Sequence, residues 1–495
     1  MKKLATFILM AGVCSQLSAQ NEEDILRYSF QKLNGTPRSL GMAGAMGVVG
    51  ADLSAINTNP AGLGFYRQNT YLLGLGYSIW NTKSTYIGTQ TRSTQNNINI
   101  PNLGASFTTL MMDKGKQVTS GLVSYTLGFS LNRRNDFNQT VAFQGDNRSS
   151  SILDYFAQRA NGIPASSLTP DVSSLEGMAW NAYLINSDSL SGFNSYVANL
   201  PDSITMRQRS QIKHSGRQQD LNASIGLNFS HRLYLGATIS MNTIRYEQTS
   251  IWKEENTNFF SDTRYMTYEN RFTTQGSGFS VNLGAILRIT DFLRAGLNYQ
   301  SGTRYSLSDV FSTSISSNNF DPGTSYNFSS SPTNFNYTLK TPAKIGGGLT
   351  FIFKQAGLIS IEVENVNYSR GRLGSINYDF DTENKLAENN FNDAYNLKMG
   401  AEVLVGKLRV RGGFAHFGSP LSREVDRGIN LSYNCYTTGL GYRNESGFFA
   451  DFAVVLEEGT SFYTPYTLIN STRTSYTAIQ TSNALRLSLS VGSTF

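Results

Sequence analysis

Cysteine is nearly absent: Cys14 and Cys435 are the two in 495 residues. Cys14 falls in the N-terminal leader described below. Cys435 is then alone, with no partner for an intramolecular disulfide and no cysteine-based metal site in reach. Histidine is as scarce. His214, His231 and His416 show no H-x-x-x-H spacing, so zinc-type ligation has no motif. With so few histidines no Ser-His-Asp constellation can be argued, and the reading is neither an enzyme nor a cofactor protein. Charged residues make up 15% and sum to +6, too small and dispersed a surplus to mark a nucleic-acid partner. Hydrophobic residues reach 39%, below the ~45–50% of soluble domains. Beyond the leader no run of about 18 apolar residues offers a spanning helix.

Aromatic and small residues are plentiful instead, with 26 Tyr, 30 Phe and 45 Gly. Few aliphatics beside many aromatics, Gly, Asn, Ser and Thr suit a barrel that is polar inside, with alternate side chains toward lipid. Residues 1–19 read as an export signal: Lys2 and Lys3, an apolar stretch from Leu4 to Val13, then Leu17-Ser18-Ala19 before Gln20. A lipoprotein reading of Cys14 is disfavoured because Val13 is too large for the small residue that normally precedes a lipidated cysteine. Removing Lys2 and Lys3 takes the charge from +6 to +4.

Period-two alternation is the main structural signal. Leu485, Leu487, Leu489, Val491 and Phe495 share one face of the last segment; Arg486, Ser488, Ser490, Gly492 and Thr494 share the other. An ending on an aromatic resembles the C-terminal signal of outer-membrane proteins read by the barrel-assembly machinery. Tyr71 to Ile79, Val123 to Phe129, Leu233 to Met241, Phe279 to Ala285 and Leu293 to Tyr299 alternate in the same way.

Fourteen strands are predicted, near 70–80, 101–111, 118–131, 220–229, 233–248, 272–287, 292–307, 333–353, 358–370, 392–404, 408–417, 429–442, 448–459 and 483–495. Every second link is short, such as Ser230-His231-Arg232, and the others are long, up to residues 132–219. Short turns on one rim and long loops on the other are expected of an outer-membrane barrel. An even count places both termini in the periplasm, with membrane lipid and lipopolysaccharide around the wall. The predicted fold is all-β: a transmembrane antiparallel barrel over 69–495, with the long extracellular loop 132–219.

Residues 20–68 do not alternate. They hold Arg38-Ser39-Leu40-Gly41-Met42-Ala43-Gly44-Ala45, then Asp52-Leu53-Ser54-Ala55-Ile56 and Asn59-Pro60-Ala61-Gly62-Leu63. This segment resembles the FadL/TodX family of outer-membrane transporters, in which an N-terminal hatch with an Asn-Pro-Ala signature plugs a fourteen-stranded barrel. Leu339 to Leu349, Tyr395 to Glu402 and Phe414 to Pro420 look like the Bacteroidetes branch of that family. The resemblance implies a hatch over 20–68 inside the lumen. It also implies passive uptake of hydrophobic small molecules such as long-chain fatty acids or aromatic hydrocarbons. The family route begins in an apolar surface groove, passes a deeper pocket and leaves sideways through the wall after the hatch shifts.

Each motif also has a plainer reading. Asn59-Pro60-Ala61 is either a hatch element or a turn before strand one, since Pro fixes φ and Asn turns the backbone. Gly41, Gly44, Gly47 and Gly50 lack nucleotide-loop spacing and read as sites of close backbone packing. In the long loop, Ile152, Tyr155 and Phe156 form one apolar stripe, and Leu175, Met178, Ala179, Ala182 and Tyr183 another. They offer either a ligand groove or mutual burial. The family's groove lies in the third and fourth outer loops, whereas the longest here is the second. Arg294, Arg409, Arg411 and Arg486 face the predicted lumen and could receive a carboxylate through paired hydrogen bonds; the alternative is a neutralising network with Glu362, Glu364, Glu402 and Asp451. A haemin-binding surface receptor using His214 or His416, and a structural or general-diffusion barrel, are the competing functions.

Overall fold

The computed structural model describes residues 22–30, 32–169, 171–188, 194–200, 205–256, 263–319, 324–354, 356–422, 430–469 and 475–495. The predicted leader at 1–19 lies outside the described residues.

Fourteen strands form one closed antiparallel sheet. They are β1 (Thr70–Tyr86), β2 (Thr89–Asn99, then Asn102–Leu110), β3 (Leu122–Asp136, then Gln139–Asn147), β4 (Met206–Phe229), β5 (Leu233–Asn256), β6 (Thr263–Arg288) and β7 (Leu293–Gln300, then Arg304–Asn319). The circuit continues with β8 (Thr333–Lys340, then Lys344–Phe353), β9 (Gly357–Asn367), β10 (Asp393–Val405), β11 (Leu408–Phe417), β12 (Tyr433–Arg443), β13 (Phe448–Tyr463) and β14 (Ala478–Thr494). β14 closes against β1 from Thr70↔Thr494 to Thr85↔Ile479. Just beyond, Asn69 and Phe495 exchange backbone hydrogen bonds of 3.1 and 3.0 Å.

Alternation follows the chemistry of the two faces. Tyr71, Leu73, Leu75, Leu235, Ile239, Phe279, Leu283 and Leu489 point outward and are exposed, while Ser78, Thr82, Ser224, Thr238, Ser280 and Ser488 point inward and are buried. A continuous outer belt of this kind is stable only against lipid. The strands are far longer than the belt. A tilted strand needs about 9–11 residues to cross, whereas β5 has 24. Above Met241 its outward residues turn polar and charged, and Arg245 and Glu247 pair there at 2.7 Å. The barrel therefore stands well clear of the belt at its long-loop end.

The extra strand length corrects several predicted boundaries. β2 starts at Thr89, and β3 and β4 run to Asn147 and from Met206, so the connection between them is 148–205 rather than 132–219. The expected single strand over 333–353 is two pieces, interrupted at 341–343, where Pro342 has no N–H for the ladder. At the other rim the links are tight. Ser230 and His231 both adopt positive φ, 52° and 56°, which turns the chain within the three residues between Phe229 and Leu233.

Six α-helices lie off the wall among the described residues: α1 (Glu23–Ser29), α2 (Pro37–Gly41), α3 (Ile152–Ala160), α4 (Ala165–Leu168), α5 (Leu175–Asn181) and α6 (Asp381–Asn390). The first two belong to an N-terminal segment packed against inward-facing residues. The next three form a cap between β3 and β4, and α6 lies between β9 and β10.

Candidate functional site

The N-terminal segment is built to be enclosed. In α1, Ile25 and Tyr28 pack among Phe137, Tyr246, Tyr305, Tyr337, Val366 and Tyr368 from the surrounding wall. Leu33, Leu40 and Ala43 meet Ala415, Phe417, Tyr433 and Ala453. Leu53, Ile56 and Leu63 meet Leu72 and Phe449. The glycines explain how backbone fits so close. A Cβ on Gly41 would lie 3.2 Å from Gly439 Cα, and Gly44 and Gly50 hold φ of +80° and +77°, where other residues are strained.

Asn59-Pro60-Ala61 opens a short 3-10 turn, Pro60–Phe65. Asn59 Oδ1 accepts from the Ala61 amide at 3.2 Å, and its side-chain nitrogen donates to the Leu297 carbonyl of β7 at 3.2 Å. Opposite it stands Gly284, where a Cβ would lie 1.9 Å from Asn59 Oδ1. This triplet therefore caps its own turn and ties that turn to the wall.

An ionic cluster fastens α2. Arg38 donates to both oxygens of Glu402 on β10, at 3.1 and 3.0 Å, the paired geometry that makes guanidinium–carboxylate contacts strong. Arg411 on β11 reaches the same carboxylate at 2.6 Å and Asp451 on β13 at 2.7 Å. Arg411 is fully buried. Arg294 donates to the Val49 carbonyl at 2.6 Å and lies 4.2 Å from the centre of the Phe65 ring. Arg409 sits two residues below Arg411 on β11, half-buried near the short-turn rim. Arg294 and Arg411 are thus engaged by the segment and by neighbouring acids.

The cap covers the long-loop mouth. Ile152, Phe156 and Met178 are buried, with Ala179 and Ala182, against Phe143, Trp252, Met266 and Ile315 of the strands, and Tyr155 packs half-buried beside them. Tyr183 is 52% exposed and sits at a positive φ of 54°, its ring 4.9 Å from that of Tyr326. A polar knot ties the cap to the wall: Glu254 accepts from the Ile152 amide at 2.9 Å, Gln208 at 2.7 Å and Trp252 at 3.1 Å.

The wall is discontinuous at one place. The ladder between β2 and β3 runs from Leu110↔Ser124 up to Asn102↔Asn132, and one further backbone bond joins Arg133 to Pro101 at 2.8 Å. Above that, among the described residues, no ladder joins the two strands. Side chains alone bridge them: Ser93 to the Thr140 carbonyl at 2.7 Å, Thr140 to Gln95 at 3.0 Å, and Asn97 and Asn99 to Asp136. Two irregularities cause the parting. Pro101 breaks β2 without a donor. On β3, Gln218 and Gln219 of β4 pair with Asn135 and Arg133, so Arg134 is bulged out of register. The bulge meets the N-terminal segment, because Asn34 donates to the Arg134 carbonyl.

Two small cavities lie at the foot of this seam. One of about 50 Å³ is lined by Lys32, Trp80, Asn99, Pro101, Arg133 and Arg486 among others. Another of about 70 Å³ shares Lys32, Asn34, Pro101 and Arg133 and extends to Arg134, Asp220 and Lys344. Burial pushes the Lys32 ammonium below its ordinary pKa, with Glu457 opposing that shift. Lys32, Trp80 and Arg133 were not singled out from the sequence; Pro101, inside a predicted strand, was the one available signal. Among the described residues no group of three or more His, Cys, Asp or Glu is placed to bind an ion. His214 is bonded to Tyr246 at 2.7 Å and His416 to Asn434 at 2.8 Å.

No family model matches the chain, and no curated protein matches it. Solved structures do. A Pseudomonas aeruginosa FadL homologue superposes over 94% of this chain and 99% of its own, with a TM-score of 0.54 at 12% identity. A TodX deltaS2S3 mutant monoaromatic hydrocarbon channel covers 93% and 99%, with a TM-score of 0.50 at 12% identity. The Pseudomonas putida toluene transporter TodX covers 94% and 99%, with a TM-score of 0.49 at 13% identity. At such identities the likeness speaks for architecture, and by architecture this chain is a closed fourteen-stranded barrel of the kind found in the FadL homologue.

Proposed function

We propose that this chain is a FadL/TodX-type transporter that lets hydrophobic compounds, long-chain fatty acids or aromatic hydrocarbons among them, cross a bacterial outer membrane passively. The observation that carries the reading is a barrel filled along its axis yet unladdered at one seam of its wall. A filled axis disfavours a general-diffusion pore, and a seam that opens just above the apolar belt, beside the exposed Ile98 and Ile100, offers apolar cargo a sideways path. In this reading residues 20–68 are the hatch, with Asn59-Pro60-Ala61 its hinge to the wall. The tight-turn rim is periplasmic and carries both termini, the leader at 1–19 directs export, and the strand ending at Phe495 is what the assembly machinery recognises. Cargo enters over the cap, near Tyr155 and Tyr183, and leaves between β2 and β3 once the Arg134 bulge and Asn34 separate. Arg294 and Arg411 hold the hatch in place on this view, and Arg409 stays available to a ligand carboxylate.

The TodX deltaS2S3 mutant that this barrel resembles is a monoaromatic hydrocarbon channel, with cargo of the same hydrophobic class. Uptake of radiolabelled oleate and of labelled toluene by cells with and without the protein tests the proposal. Faster uptake of at least one is expected; equal uptake of both in the two strains would overturn it. No observation favours the haemin reading.

A further inference from the structure

The outer wall changes character abruptly at one level on β7 and β8. Below that level Tyr299 and Ile345 face outward and are exposed. Above it, the paired strands present Ser306 opposite Thr338 and Ser308 opposite Asn336, hydroxyls and an amide without charge. Between the two tiers stand Arg304 and Lys340. Their chain neighbours Tyr305 and Leu339 are buried, so alternation turns both bases outward, and both are exposed. They are also ladder partners, Arg304↔Lys340, and Lys340 stands opposite Arg372 in turn. On its other flank Arg304 faces Phe279, exposed in the apolar belt.

Three bases in a row across neighbouring strands repel one another, since like charges directly opposite destabilise a sheet. Arg372 has a counter-ion in Glu388. Among the described residues the side chains of Arg304 and Lys340 have neither an ion pair nor a hydrogen bond. Arg217 and Arg245 hold the same tier on β4 and β5, above Leu221 and Met241, and also face each other; Arg245 has Glu247 as its partner. Elsewhere the sign reverses. The first outward charge beyond Tyr395 on β10 is Asp393, and the first beyond Leu456 on β13 is Glu458. Basic charge at the upper edge of the belt is thus gathered on one arc of the wall, and an anion at that depth relieves its repulsion.

We propose that Arg304 and Lys340 form a docking site on the outside of the barrel for the phosphate of a saccharolipid in the outer leaflet. Its acyl chains lie on Phe279, Tyr299 and Ile345, its phosphate meets the two bases, and its sugars lie against Ser306, Thr338 and Asn336. The three tiers of the wall, apolar, basic and uncharged polar, follow the order of the three parts of such a lipid. A guanidinium fork binds phosphate oxygens in pairs, and lysine adds a point charge. A glycerophospholipid has the phosphate and the chains but no disaccharide for the upper tier, which favours the saccharolipid. The inference rests on one part of the transport reading, the long loops facing outward, and is independent of the cargo.

The test follows lipid binding to the full-length protein in detergent by native mass spectrometry. The probes are monophosphoryl lipid A, the same lipid without its phosphate, and phosphatidylglycerol. The unaltered barrel is expected to prefer the phosphorylated saccharolipid over its dephosphorylated form by about tenfold. Arg304→Gln combined with Lys340→Gln should bring that ratio near one, and Lys340→Gln alone, a milder change, should lower it part-way. Lys354→Gln with Lys407→Gln removes the same charge at the tight-turn rim and should leave the ratio unchanged. Heat-dependent gel migration reports whether each variant is a folded barrel. Equal binding of the two saccharolipids to the unaltered protein, or a preference that survives in the Arg304 and Lys340 variant, overturns the site. Phosphatidylglycerol bound as tightly, and lost in the same variant, overturns the choice of lipid. Orientation is tested apart from binding: Ser331→Cys, exposed at the long-loop end beside β8, should react with a membrane-impermeant maleimide on intact cells. No labelling overturns the orientation and the outer-leaflet assignment with it. Labelling without any lipid preference removes the site alone and leaves the transport reading standing.

Discussion

At Gly284 the N-terminal segment and the wall come closest, with 1.9 Å left between a hypothetical Cβ and Asn59 Oδ1. Gly284→Ala should push Asn59 off the Leu297 carbonyl, at an overpacking cost of about 1–3 kcal/mol. Hydrogen exchange over residues 57–66 is expected to quicken. Gly412→Ala is the matched control, since the nearest neighbour of its Cβ lies 4.0 Å away, and exchange there should stay as it was. Arg38 belongs to the same scale. Arg38→Met removes one of two guanidinium groups from Glu402 while Arg411 remains, so the carboxylate keeps a partner. Breaking a buried pair costs about 3–5 kcal/mol when the survivor is orphaned, and here the loss should be smaller. Looser packing of α2 is expected, read as current in planar bilayers where the parent barrel is nearly closed; silence in both would contradict a fastening role.

Among the elements, the cap is separable from the wall in a way the strand pattern concealed. β4 pairs with β5 along its whole length and with β3 from Phe229 up to Met206↔Asn147, so the two strand ends that carry the cap are ladder partners. Replacing 148–205 with Asn-Gly should therefore close a hairpin, leaving a barrel that still inserts and still migrates heat-dependently. Failure to fold would mean that the cap organises β3 and β4. The strand tops were illegible in sequence for a physical reason. Residues 206–219 stand above the lipid, with water on the outer face and polar groups on the inner, so no apolar alternation marks them. Below, lipid on one side and a polar lumen on the other forced the alternation that made β5, β6 and β14 readable. The two stripes, one with Ile152 and Phe156 and the other with Met178, were equally readable, but period alone does not say whether a stripe faces a ligand or, as the burial of these residues shows, the strands beneath.

For the whole molecule, the barrel, its strand number and the alternation of tight and long connections followed from the sequence, because closure and lipid contact impose them on every strand. The seam did not. It depends on Pro101 and the Arg134 bulge falling side by side on adjacent strands, a matter of register that one strand's pattern does not contain. The pairing of lumen charges was hidden likewise: Arg38, Glu402, Arg411 and Asp451 are far apart in the chain and meet only through the circuit of strands. The seam is also where transport can be interrogated. Ser93 and Thr140 face each other across it, and the buried Cys435 will not compete for oxidation. Ser93→Cys with Thr140→Cys places a removable bridge over the gap. The decisive measurement is uptake of labelled oleate by cells carrying this double variant, before and after reduction. Uptake near that of cells lacking the protein when bridged, and recovery toward the parent rate once reduced, is the expected result. Equal uptake in both states would show that cargo does not leave through the wall between β2 and β3.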